Sequence, residues 1–139
     1  MTIPAYESTI TEPVTTDALI QQRVSALVGH ACRRQFWLLF LDDRSVQLPL
    51  LVPIGDPPAY PQPESDALLE MVEHAAESVG AASVVVVIER YADETLTPSD
   101  LAWAAWLDAA FREHDVTLRG MLLSHRRGVR WIAKDDYGF

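Results

Sequence analysis

Apolar and polar residues alternate along the chain in two rhythms. From Asp17, the residues Ile20, Val24, Leu27, Val28 and Ala31 fall on one helical face, with Thr15 or Thr16 available to cap the start. A second helical rhythm runs through Leu68, Leu69, Val72, Ala75, Ala76 and Val79 and leaves Glu70, Glu73, His74 and Glu77 elsewhere on the wheel. Gly80 then closes it, as a residue that takes the left-handed conformation at little cost. Between these helices the pattern is extended. "QFWLLFL" (35–41), the turn-rich "DDRS" and "VQLPLLVPI" (46–54) predict a hairpin. Pro49 and Pro53 place its second strand at a sheet edge, because proline offers no N–H to a neighbour. The stretch "GDPPAYPQPESD" (55–66) predicts a surface loop of restricted freedom.

"SVVVVI" (83–88) has no polar alternation and is rich in β-branched residues, which predicts a central strand covered on both faces. After it, Thr97 and Asp100 have the spacing of a capping box and Pro98 takes the first helical position, so a helix is expected from Pro98 to about His114. "LRGMLLS" and "VRWI", joined around "HRRG", predict a final hairpin. The order α-β-β-α-β-α-β-β implies an α/β fold, with helices packed on a mixed sheet in two or three layers and a parallel crossover at one or more of them. Residues 1–14 read as a loose tail and 15–139 as one globular domain. Trp103, Trp106, Leu107 and Phe111 form the core face of the long helix, and Trp37 and Trp131 are expected to join them from the strands.

Composition narrows the functional classes. At 139 residues and 49% hydrophobic, the chain can bury one core and has no room for a second domain of ordinary size. "FWLLFL" and "VVVVI" are far shorter than the roughly 18–20 residues of a membrane-crossing helix. The start "MTIPAYESTITEP" lacks the basic and apolar regions of a secretory signal, and Cys32 is the single cysteine, so a cytoplasmic location is the expectation. A net charge of −9 repels a polyanion at long range and argues against a general nucleic-acid binder.

The order of elements, together with "RRQFWLLFLDDRSVQLPLLVPIG", "GAASVVVVIE" and "LTPSD", resembles the JAB/MPN metalloprotease-like fold, in particular its RadC-type branch, over roughly residues 17–133. In that branch a buried strand ends in His-x-His, and a Thr-Pro-Ser stretch opens a helix carrying Ser-x-x-Asp. With Thr97-Pro98-Ser99 in the family's position, the two histidine positions fall on Glu89 and Tyr91 and the aspartate position on Ala102. Two imidazoles and a carboxylate hold zinc and leave a place for water; one carboxylate, one phenol and one methyl do not. The family's general base, a glutamate on an earlier strand, has no counterpart in either strand of the first hairpin. The resemblance therefore implies a degenerate copy with no cofactor, acting as a protein-interaction or ligand-binding module, monomeric or homodimeric.

Two other chemistries are open. Glu89, Asp93, Glu94 and Asp100 gather at the end of a central strand, where α/β sheets place their sites, and the first three would serve a metal-dependent hydrolase or nuclease. The alternative is a solvated acidic loop with Asp100 engaged in capping, and Arg90 would neutralise part of any such site. Arg119, His125, Arg126, Arg127 and Arg130 make a basic tip suited to a phosphate, an acidic partner or nucleic acid, unless the arginines pair with the chain's own carboxylates. The histidines His30, His74, His114 and His125 lack metal-pair spacing and are expected at the surface, His114 complementing the dipole at the end of the long helix.

Overall fold

The computed structural model describes residues 12–137. Along the chain lie α1 (Asp17–Leu27), β1 (Gln35–Leu41), β2 (Gln47–Gly55), a 3-10 turn (Pro63–Ser65), α2 (Asp66–Val79), β3 (Ser83–Glu89), α3 (Pro98–Glu113), β4 (Thr117–His125), β5 (Gly128–Ile132) and α4 (Lys134–Tyr137). The strands form one mixed sheet in the order β2-β1-β3-β4-β5. β1 is antiparallel to both β2 and β3, β3 and β4 are parallel across the α3 crossover, and β4 and β5 close a hairpin. The two additions to the expected elements are the 3-10 turn and α4, both too short to leave a periodic signature.

Residue parity divides the core. Phe36, Leu38, Phe40, Val84, Val86, Ile88, Met121 and Leu123 face α2 and α3, which contribute Leu69, Val72, Ala76, Trp103, Ala104, Leu107 and Phe111. Leu39, Leu41, Val85, Val87 and Leu122 face the other way, against Ile20 and Val24 of α1. Covered on both sides, Val84–Ile88 are each 1% exposed or less, which is why that stretch carries no polar alternation. Trp37 and Trp131 belong to the α1 side and not to the α3 core as expected, because each occupies the opposite parity on its strand. Trp131 lies over Gly120, where an added Cβ would come within 2.5 Å of the indole, so the missing side chain is what lets that ring lie flat on β4.

Local chemistry sets the helix boundaries. The Thr16 hydroxyl accepts from Leu19 N–H at the start of α1. That helix stops at Leu27 and does not run on to Ala31: Gly29 turns left-handed (φ 70°), and Ala31 reaches the core from the following loop. Gly80 ends α2 at φ 72°. The α3 box is reciprocal, Thr97 Oγ1 accepting from Asp100 N–H and Asp100 Oδ2 from Thr97 N–H. Of the expected loose tail, residues 1–11 lie outside the described residues; Val14 is buried and its N–H donates to Ser45 O, so residue 14 packs with the domain.

Candidate functional site

The carboxyl ends of β3 and β4 meet the α1–β1 loop and the β3–α3 loop at one end of the sheet, and most of the candidate residues lie there. Glu89 is the last residue of β3 and is 3% exposed. Its Oε2 accepts from Cys32 N–H (2.7 Å) and Arg33 N–H (3.1 Å). Its Oε1 accepts from Gln35 Nε2 (2.8 Å) and Trp37 Nε1 (2.8 Å). A carboxylate has about four lone-pair directions, and here each meets a donor from the protein. Burial pushes this carboxyl's pKa up, but the four hydrogen bonds together outweigh it and hold Glu89 below its ordinary value, so it is ionised at neutral pH, with no salt-bridge partner among the described residues. The expectation of a solvated acidic loop is corrected for Glu89: its parity turns it under the α1–β1 loop.

Arg90, one residue on, points to the other face. Its Nε lies 2.9 Å from Asp100 Oδ2 and 3.2 Å from Oδ1, with Nη2 at 2.7 Å from Oδ2. The remaining donors go to carbonyls of the β3–α3 loop, Nη1 to Asp93 O (2.7 Å) and Nη2 to Thr95 O (2.8 Å). Asp100 is 2% exposed and is engaged by both Arg90 and Thr97 N–H. Arg90 therefore folds the loop onto the start of α3. Asp93 and Glu94 stay exposed on that loop, the Asp93 carboxylate held below its usual pKa first by the Thr95 N–H. Among the described residues, no group of three or more His, Cys, Asp or Glu side chains is placed to hold a metal ion.

The basic tip comes apart into four environments. Arg119 sits near the start of β4, seven residues and roughly 20 Å along the strand from Arg126, and pairs with Asp17 at the start of α1 (2.8 Å). Arg130 donates to Glu94 O (3.1 Å) and lies 3.4 Å from Asp136. Arg126 and Arg127 alone project from the turn, and Arg126 N–H ties that turn to Ala92 O (2.7 Å). His125, expected at the surface, is 8% exposed; burial lowers its pKa first and foremost, and its Nδ1 accepts from Arg127 N–H, so the ring is neutral. His114, expected at the surface, is the half-buried C-cap residue of α3, and its Nδ1 meets Glu73 Oε2 at 2.7 Å, joining α3 to α2.

The donors around Glu89 were not identifiable from the sequence. Cys32, Arg33, Gln35 and Trp37 lie 52–57 residues away, and two of the four give only backbone N–H groups, which any residue type would supply. No protein-family model matches the chain, and no curated protein matches it.

Proposed function

We propose that the chain is a catalytically inert JAB/MPN-like domain of RadC type that works by binding a protein partner. The observation carrying this is the saturation of Glu89. At the position of the family's first histidine stands a carboxylate whose four lone pairs are all taken by the protein. Tyr91, at the second position, is 68% exposed and turned to solvent, and Ala102 offers only a methyl group. The β3–α3–β4 crossover supports the family reading, since it brings the end of β3 and the Thr97-Pro98-Ser99 helix start to the same end of the sheet.

A partner on this fold docks by side chains and not by adding a strand. β2, one edge, pairs Pro53 with Trp37, and Pro53 turns no N–H outward. At the other edge, β5, the carbonyls of Val129 and Trp131 accept from Gln21 Nε2 (3.0 Å) and Arg130 Nε (3.1 Å). Elemental analysis of the purified protein tests the inert reading. Metal well below one ion per chain, unchanged by Glu89→Gln, is expected; stoichiometric zinc or magnesium lost on that substitution would overturn it.

A further inference from the structure

Glu89 is a ligand as much as a side chain. Two backbone N–H groups, an amide and an indole converge on its carboxylate at 2.7–3.1 Å, and all four donors are neutral. Such a convergence of fixed dipoles is how proteins make an anion site without a cation. The donors come from one short segment, Cys32 to Trp37, that spans the α1–β1 loop and the start of β1. That loop is also fixed by Ala31 N–H to His125 O (2.7 Å) and by the Ser124 hydroxyl to Gly29 O. It thus lies across the carboxyl ends of both β3 and β4, the place where open α/β sheets receive ligands.

We infer that the 32–37 segment is a carboxylate-binding nest occupied by the chain's own Glu89, which straps the α1–β1 loop over the end of the sheet. The inference rests on the nest's geometry and stands apart from the family reading and from the metal test. It makes a chemical prediction: the nest recognises the carboxylate and not its attachment to residue 89. Truncation to alanine removes the Cγ methylene and the carboxylate, which together have the heavy atoms of acetate.

The experiment compares Glu89→Ala with the wild type in sodium acetate, sodium chloride and acetamide. Acetamide has nearly the same shape, but it places an NH2 against two of the donors and carries no charge. The variant is expected to gain Tm in acetate relative to chloride, by about 3–6 °C at roughly ten times a millimolar Kd, with no such gain in acetamide and none for the wild type, whose nest is full. Amide exchange at Cys32 and Arg33 should be fast in the variant and slowed again by acetate. Should the variant not fold in plain buffer, refolding in acetate but not in chloride supports the nest. Equal responses to acetate and acetamide, an equal acetate response in the wild type, or no recovery in either salt would overturn it.

Discussion

Glu89 and Arg90 are adjacent in sequence, both nearly buried, and compensated in opposite ways. The carboxylate of Glu89 meets only dipoles, all from the α1 side of the sheet. The guanidinium of Arg90 meets a full countercharge in Asp100, supplemented by two loop carbonyls. Strand parity produces the split, sending one charge under the α1–β1 loop and the other toward α3. The two knots therefore secure different loops. They also differ in what happens when one member is lost, because an ion pair leaves a charge behind while a dipole nest leaves only unpaired donors.

The largest effect should come from Arg90→Ala. It strands the Asp100 carboxylate, 2% exposed, with only the capping N–H contact, and a loss of about 3–5 kcal/mol in denaturant unfolding is expected. A loss under 1 kcal/mol would mean that water reaches Asp100 freely and that the contrast between the knots is overstated.

Next is Glu89→Gln, which keeps the shape but turns an NH2 toward two donors; about 2–3 kcal/mol is expected at pH 7. Its pH dependence sharpens the comparison. The folded pKa of Glu89 lies below its ordinary value, so its contribution is present above the unfolded pKa of about 4.3 and is lost as the pH falls through the lower folded value. The gap between wild type and Glu89→Gln should stay constant from pH 8 to about pH 5 and shrink in more acid solution. A gap that closes between pH 6 and 7 would instead place the folded pKa above the ordinary range and contradict the four-donor arrangement.

The smallest effect belongs to the exposed turn. Arg126→Ala with Arg127→Ala should change stability by less than about 0.5 kcal/mol. Binding of a short oligonucleotide at moderate salt should be absent before and after the substitutions. Salt-sensitive binding that the pair abolishes would revive the acidic-ligand reading of the tip.

Much of the architecture was legible because it rests on local chemistry. The apolar run of β3 signalled two covered faces, Thr97, Pro98 and Asp100 marked the start of α3, and Pro53 marked an edge. The N-terminal boundary was not: Val14 has too few patterned neighbours to signal its burial, and α1 ended at Leu27, before the left-handed Gly29, although the apolar spacing continued. The site was less legible still. That Glu89 ends a strand could be read; that it is saturated could not, since its donors lie more than fifty residues away and half of them are backbone groups. The basic tip looked like one cluster because five basic residues fall within twelve positions, yet an extended strand carries Arg119 far from the turn.

By itself, then, the sequence determined where the chain is helical, where it is extended, and which positions carry charge, since propensity, capping and periodicity act over a few residues. Only the tertiary structure decided which charges are free. Pairing of distant strands brings Cys32 and Trp37 to Glu89, and parity sends Arg90 to Asp100 on the opposite face. Those contacts depend on which distant segments pair side by side, and the propensity of one segment does not name its partner.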